Sequence, residues 1–380
     1  MLTQAKMILA ELKKPIPQFV IGPERVSWLI DNFHKISDEH KVTLIKYVNF
    51  VLDTMIKKES SDIEIGGHAC QGYIWMRVFG KKDRVEQLPV LDTDEYAILI
   101  LNLLNENQRK NLILNRNLDF SYSFKPDPLA PISYRFRADA YFDLDCLCLN
   151  MRSIAAKLRK VETLGFHPAA LKMMHHANVK QGLVLVTGIT GSGKSATLDA
   201  LVDMHNETDN AHIIIIAAPI EFVHRSSKCI IRHREVGRDV ASFKDGVIQA
   251  LRQDPDIIII GEMRDPETIM AALEVADTGH KVFSTLHTSS AVESLDRIIA
   301  EVHPSEQERV RNRLADTLTA VVSQKLVPSI DGRRVLAKEV MLITPSIQAA
   351  IKNNNISEIY GMINQGSAQG MITMEQDLRM

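Results

Sequence analysis

Short apolar runs separated by longer mixed segments mark the second half of the chain. Four such runs are LVLVT (183–187), IIIIA (213–217), DIIII (256–260) and KVFSTLH (281–287). They are too short for helices, and their mostly unbroken apolar character predicts strands covered on both faces. Segments with helical spacing lie between them, and strands that alternate with helices are typical of a parallel sheet. The second half is therefore predicted to be α/β.

The first half has a different pattern, in which strands precede and follow a helix. Apolar residues recur at helical spacing across 44–58 and again across 94–105. Alternating segments predict further strands at 60–65, 73–79, 118–124 and, as two paired strands, 133–152. Strands grouped around a helix in this order are typical of a small α+β domain.

Changes in composition mark the boundaries between these parts. The first residues mix prolines with short amphipathic stretches and carry Trp28 and Phe33, from which we form the hypothesis of a leader that docks on a partner. The stretch from Pro304 onward reads as mostly helical, with one strand at 333–343. The predicted parts are an N-terminal extension (1–43), the small α+β domain (44–153), a charged linker (154–170) and the α/β domain with its C-terminal helices (171–380).

Composition limits the classes of function. Of 380 residues, 45% are hydrophobic and 24% are charged, which are ordinary globular values. The formal net charge of −2 gives no basic field, so a nucleic-acid partner is not expected. No apolar run reaches the ~20 residues of a membrane-spanning helix, and the first residues do not resemble a signal peptide. The cysteines fit a reducing cytoplasm, with Cys146 and Cys148 on one face of a strand.

The segment GITGSGKS (188–195) matches the pattern G-x-x-x-x-G-K-[ST]. A predicted strand precedes it and a predicted helix follows, which is the context of a phosphate-binding loop and not of a bare glycine turn. Lys194 would reach the β- and γ-phosphates of a nucleotide, and the Ser195 hydroxyl would bind Mg²⁺. The predicted nucleotide-binding residues are Gly188, Thr190, Gly191, Ser192, Gly193, Lys194, Ser195 and Ala196.

Two further candidates follow parallel strands at the edge where ligands of open α/β sheets bind. Glu262 comes directly after DIIIIG, where its carboxylate could bind Mg²⁺ or orient the attacking water. His287 ends the fourth run and could sense the γ-phosphate; a purely structural histidine is the alternative. Asp256 begins its strand, at the wrong end for metal, and is interpreted as structural.

Taken together, GITGSGKS, PIEFVH, REVGRD, GEMRD and TGHKVFSTLHTSSA resemble the type II and IV secretion ATPase superfamily, and most of all the PilT-type ATPases of type IV pili. The resemblance runs from about residue 60 to GMITMEQDL near the C-terminus. It implies a RecA-like ATPase domain after a small PAS-like domain, with ATP and Mg²⁺ bound between them. It also implies a homo-hexameric ring on the cytoplasmic side of the inner membrane, attached peripherally through a platform protein.

The resemblance assigns further residues by position. Arg137 and Arg152 match the arginines that the small domain presents to the nucleotide, and His280 and His287 fall on the family's histidine box. The family has a Glu-Asp pair before PIEF, and its glutamate acts on the attacking water. Here the pair is replaced by Ala217 and Ala218. Smaller departures are Ala196, where a second hydroxyl is usual, and SIQAAI (346–351), where retraction motors carry a basic motif.

Three functions stay open at this point. The first is a motor subunit that couples ATP hydrolysis to domain motion in pilus retraction or a related secretion machine. In that case Glu262 and Glu221 would partly replace the missing pair. The second is a hydrolysis-deficient subunit that binds ATP beside an active paralogue. The third is a conjugation-type (type IV) secretion ATPase.

Overall fold

The computed structural model describes residues 2–78, 80–126, 133–154, 158–329 and 334–379. The chain divides into two compact units, Met1–Ala156 and Lys157–Met380. Residues 155–157 of the predicted linker lie outside the described residues. Within the described ranges, no helix is both long and apolar enough to cross a membrane.

The first unit is an α+β structure built on one antiparallel sheet. Its six strands lie in the order β3-β2-β1-β6-β5-β4, and every neighbouring pair is antiparallel. Its main elements are α1 (Leu2–Leu12), α2 (Gly22–Asn32), α3 (Asp38–Lys57), β1 (Ser60–Gly66), β2 (Trp75–Val78), β3 (Lys81–Arg84), α4 (Thr93–Leu103), α5 (Glu106–Asn115), β4 (Asn117–Phe124), β5 (Tyr134–Asp143) and β6 (Cys146–Ile154).

The predicted strand pair at 133–152 is present as the hairpin β5–β6. Its two turn residues, Leu144 and Asp145, have positive φ angles of 44° and 64°. Positive φ at both central residues is the requirement of a two-residue type I′ turn, which matches the twist of the paired strands. The hairpin places Arg137 directly opposite Arg152.

Most of residues 2–43 are helical and contribute to the core of the first unit, where the sequence indicated only short amphipathic stretches. Phe33 is only 4% exposed, and the Arg109 guanidinium lies 3.8 Å from the centre of its ring. Trp28 is partly buried against the same core. The Phe33 ring is therefore buried within the unit, and the hypothesis that the leader docks on a partner stays a prediction.

The second unit contains a seven-stranded sheet in the order β13-β12-β7-β11-β10-β8-β9. All neighbours are parallel except the antiparallel pair β12–β13. Its main elements are α6 (Pro168–Met174), β7 (Gly182–Thr187), α7 (Lys194–Thr208), β8 (His212–Ala217), β9 (Ile230–Glu235), α8 (Phe243–Ala250), β10 (Ile257–Ile260), α9 (Pro266–Asp277), β11 (Lys281–Leu286), α10 (Ala291–Glu301), α11 (Gln307–Thr317), β12 (Leu318–Pro328), β13 (Arg334–Leu342), α12 (Pro345–Lys352), α13 (Ile359–Gln365) and α14 (Met374–Leu378).

The four predicted strands form the centre of this sheet. Ile257–Ile260 pair in register with Ile213–Ile216, and all eight isoleucines are buried. Such runs have no solvent face, so helices cover both sides, as a parallel sheet requires. One prediction was wrong: the region after Pro304 contains a second long strand, β12, beside β7. Its neighbours on both sides determine its conformation more strongly than its mixed sequence does.

Candidate nucleotide site

The carboxyl ends of four neighbouring parallel strands bring the predicted site residues of the second unit to one edge. β7 leads into the glycine loop, β11 into His287, β10 into Gly261-Glu262, and β8 ends at Ala217. Ligands of open α/β sheets bind at this edge. The parallel arrangement therefore places the loop, the histidine, the carboxylate and the alanines side by side.

The glycine loop has a backbone that other residues could not follow. Gly188, Gly191 and Gly193 have φ angles of 150°, 80° and 92°, values that glycine adopts without steric cost. A Cβ on Gly188 would lie 2.4 Å from the Ser192 Oγ. The Lys194 ammonium donates hydrogen bonds to the carbonyls of Gly188 (2.8 Å) and Ile189 (3.2 Å). The lysine therefore lies over the loop at the first turn of α7.

The remaining loop residues fit a phosphate and metal site. Thr190, Ser195 and Ala196 are exposed, whereas Ser192 is buried and its Oγ has no hydrogen-bond partner among the described residues. The loop precedes a helix of 15 residues, whose N-terminal N–H groups and dipole favour an anion. The Ser195 hydroxyl stands in the first turn, where a nucleotide-bound cation would meet it.

Three charged side chains lie close enough to interact electrostatically at this edge. Burial lowers the pKa of Lys194, while the carboxylates of Glu262 and Glu221 act in the opposite direction. The net shift of the Lys194 pKa is downward, so the two carboxylates do not fully offset the effect of burial. A bound polyphosphate would supply the missing negative charge.

Glu262 is positioned between a cation and a histidine. Its Oε2 lies 2.7 Å from the Arg264 Nε and 3.7 Å from the His287 Nε2. The Glu262 side chain is only 16% exposed, whereas Arg264 is 68% exposed. Burial and the nearby Lys194 lower the pKa of His287, so the imidazole is neutral at neutral pH. A neutral ring can accept or donate a hydrogen bond at this edge of the sheet.

No carboxylate occupies the end of β8. Ala217 is half-buried and Ala218 is exposed. A Cβ built on Gly261 would lie 3.1 Å from the Ala217 Cβ, so the two strand ends are in contact here. The nearest acid along the chain in this direction is Glu221, which is also half-buried.

Gln324 of β12 is hydrogen-bonded to the glycine loop, a role that the sequence did not reveal. This side chain is 1% exposed. Its Nε2 donates to the Ser192 carbonyl at 2.8 Å, and its Oε1 accepts from the Thr197 hydroxyl at 3.0 Å. No local pattern marks Gln324, because its partners lie 127 and 132 positions away in the chain.

A chain of buried hydroxyl groups joins the end of β7 to the residue after His287. The Thr187 Oγ1 lies 2.8 Å from the Ser323 Oγ and receives a 3.4 Å hydrogen bond from Ser294. The Ser294 Oγ lies 2.6 Å from the Thr288 Oγ1. All four hydroxyl residues are at most 1% exposed. The chain therefore connects the backbone of the loop to that of the histidine segment.

Comparison with known proteins identifies the family of the chain. The family described as "Type II/IV secretion system protein" matches residues 38–377. The chain belongs to this family. It is 41% identical over 305 residues to the type IV pilus retraction ATPase PilT of Pseudomonas aeruginosa, an alignment that covers 80% of this chain and 86% of PilT.

Two solved structures of the secretion family are also similar. A crystal structure of the pilus retraction motor PilT with bound ADP superposes with a TM-score of 0.73 at 34% identity, covering 87% of this chain and 95% of that one. The Legionella pneumophila ATPase DotB superposes with a TM-score of 0.77 at 28% identity, covering 88% and 90%. These relatives confirm the predicted resemblance and the fold class, a RecA-like domain after a smaller α+β domain.

Arg137 and Arg152, which the resemblance to the secretion family assigns to the site, lie in the first unit. The Arg152 Nε lies 2.8 Å from the Asp62 Oδ1, and an Arg137 Nη2 lies 3.6 Å from the Asp119 Oδ1. Both guanidinium groups are substantially exposed, at 70% and 47%. They form a cross-strand pair of cations on β5 and β6, and their role at the nucleotide stays a prediction.

The second histidine of the family's histidine box is not at this edge. His280 precedes β11 and its carbonyl accepts from the Gly182 N–H, so it lies at the amino end of the strands. Asp256 lies at the same end, where its carboxylate accepts from the His212 N–H at 2.8 Å. The interpretation of Asp256 as structural agrees with this contact.

Proposed function

We propose that this chain is an ATP-binding motor subunit that couples ATP hydrolysis to domain motion in type IV pilus retraction or a related secretion machine. The observation that carries the proposal is the grouping of Lys194, Glu262 and His287 around the glycine loop. The resemblance adds a homo-hexameric ring, an inner-membrane platform protein as partner, and a peripheral position on the cytoplasmic side.

Each residue at the edge has a role that its chemistry suits. The loop amides and Lys194 would bind the phosphates, and Ser195 with Glu262 would hold Mg²⁺, which would supply positive charge to the phosphoryl group. His287, neutral and 3.7 Å from Glu262, senses the γ-phosphate. Arg137 and Arg152 keep the role that the resemblance gives them, since guanidinium groups suit spread phosphoryl charge.

The alanines at the end of β8 determine how fast the subunit turns ATP over. Without acids at 217 and 218, the carboxylates that remain near Lys194 are Glu221 and Glu262. We assign water orientation to them and expect slow hydrolysis, since general-base catalysis typically contributes about 10²–10⁴-fold. The same alanines favour a second candidate, a hydrolysis-deficient subunit acting with an active paralogue. A third candidate is a conjugation-type secretion ATPase, which the family description also includes.

ATP turnover by the purified full-length chain decides between the first two candidates. Wild type is compared with Lys194→Ala, which removes the phosphate contact, and with the double change Ala217→Glu/Ala218→Asp. We expect slow turnover in wild type, none in Lys194→Ala, and faster turnover in the double variant. Binding of a fluorescent ATP analogue is measured in parallel.

The outcomes separate cleanly. If wild type binds nucleotide, but only the double variant hydrolyses ATP, the wild-type chain is a hydrolysis-deficient subunit. Wild type that fails to bind ATP, or binds it as well after Lys194→Ala, would refute the proposed nucleotide site altogether. Turnover of wild type that Glu221→Gln and Glu262→Gln both leave unchanged would refute the roles assigned to these carboxylates.

A further inference from the structure

A second cluster of polar side chains lies at the amino ends of the strands, on the opposite edge from the glycine loop. His175 follows the last residue of α6, while His205 and Asp209 stand four residues apart at the end of α7. One donor atom from each of the three lies within 4.8 Å of the others. The side chains of His205 and Asp209 are buried, and His175 is 18% exposed.

Hydrogen bonds determine which ring nitrogen of His205 carries the proton. The Nδ1 lies 2.6 Å from the Leu201 carbonyl, which can only accept. The proton is therefore on Nδ1, and Nε2 carries a lone pair. A backbone carbonyl that accepts from one ring nitrogen is the usual way in which proteins prepare the other to bind a metal.

The same reasoning applies to His175. Its Nε2 lies 3.0 Å from the Thr208 Oγ1, and that hydroxyl already donates to the Met204 carbonyl at 2.7 Å. The hydroxyl must therefore accept from His175, so Nε2 is protonated and Nδ1 carries the lone pair. This Nδ1 lies 3.6 Å from the Asp209 Oδ2, which is too far for a hydrogen bond.

The Asp209 carboxylate supplies an independent observation. Its side chain is 7% exposed, and Oδ2 has no hydrogen-bond partner among the described residues. A buried carboxylate oxygen without a donor is costly. Here two imidazole lone pairs lie beside it. No proton is shared among the three donor atoms, which lie within 4.8 Å of one another.

We propose that His175, His205 and Asp209 bind a Zn²⁺ ion that ties the end of α7 to the end of α6. Two imidazole nitrogens and one carboxylate form a normal ligand set for this ion. Ligands of a tetrahedral ion at ~2.0–2.1 Å are roughly 3.3 Å apart, so the 3.6 Å pair needs little closure. The His176 Nδ1 lies 4.0 Å from the Asp209 Oδ2 and is not part of the group of three.

Two features of the cluster would weaken the binding of a cation. The backbone N–H groups of Ala177 and His176 donate to the two lone pairs, at 3.2 and 3.1 Å, and binding would replace these contacts. The ammonium of the fully buried Lys281 also acts against a cation at His205.

The test uses untagged, full-length protein freed of metal with a chelator. Zn²⁺ binding is measured by competition with a chromophoric chelator, and Co²⁺ is used as a spectroscopic probe of the ligand geometry. We expect one tight site per chain. We expect His175→Gln and Asp209→Asn to lose it, and Thr208→Val to weaken it tenfold to a hundredfold by removing an outer hydrogen bond. His303→Gln, an exposed histidine of the same unit, is the control.

Thr208→Val keeps the proposal falsifiable if a ligand variant fails to fold, since Thr208 is exposed and not itself a ligand. Zinc should also raise the melting temperature of wild type but not of Asp209→Asn. An absence of tight binding in wild type would overturn the proposal. Equal zinc affinity in wild type, His175→Gln and Thr208→Val would also overturn it, by placing the metal elsewhere.

Discussion

The hydrogen bond from Gln324 to the Ser192 carbonyl leads to a specific prediction about how the glycine loop would bind phosphate. A trans peptide points its C=O and N–H in opposite directions. The Gln324 Nε2 holds the Ser192 carbonyl at 2.8 Å, so the Gly193 N–H on the same peptide points away from β12. We expect this bond to aim one backbone donor at the nucleotide.

The change Gln324→Leu keeps the volume and removes both side-chain hydrogen bonds. It leaves the Ser192 carbonyl and the Thr197 hydroxyl without their partner, at about 1–3 kcal/mol each. The free energy of unfolding should therefore fall by roughly 2–6 kcal/mol. A donor to a charged group contributes about 1.5–3 kcal/mol, so nucleotide affinity should fall roughly tenfold to a hundredfold.

Thr197→Val is the matched control, because it removes only the 3.0 Å bond to the Gln324 Oε1 and leaves the Ser192 contact in place. It should lower stability by about 1–3 kcal/mol with little effect on affinity. The assays are denaturant unfolding and titration with a fluorescent ATP analogue. If Gln324→Leu loses stability yet binds nucleotide as wild type does, the orienting role is refuted.

Two further predictions concern the core and pH. Ile258→Ala, at a fully buried position, should lower the free energy of unfolding by about 2–5 kcal/mol. Ile230→Ala, at a position on β9 that is 57% exposed, should change it by less than about 0.5 kcal/mol. Equal losses of stability in denaturant unfolding would contradict the packing. Burial raises the pKa of Glu339, so its stabilisation is present below the unfolded pKa and lost as pH rises through the folded one. Glu339→Gln should therefore gain stability relative to wild type above about pH 4.5, and a pH-independent difference in melting temperature would argue against this.

The sequence predicted the centre of the second unit well because buried parallel strands leave an unambiguous pattern. The strand predicted at 213–217 is observed as His212–Ala217, and the strand predicted at 281–287 is observed as Lys281–Leu286. The glycine loop was found for a similar reason, since only a few residue types can follow its backbone. Local pattern was enough wherever local physics dictated the conformation.

What was missed depends on partners distant in the chain. β12 reads as a mixed segment, and its pairing with β7 and β13 determines its conformation. Gln324 acts on residues more than a hundred positions away, and no motif marks it. The histidine and aspartate cluster combines His175 with two residues of α7, so it emerged only once the helix ends had been placed.

The surface at the end of β8 has an evolutionary consequence. Ala217 is half-buried at the edge of the core, and Ala218 is exposed. Alanine codons differ from those of aspartate and glutamate by a middle or a middle and last base. An acidic pair of the kind that the resemblance implies could therefore be gained at these positions by few mutations. In a lineage with duplicated subunits, one copy could give up its catalytic rate and keep its place in the assembly.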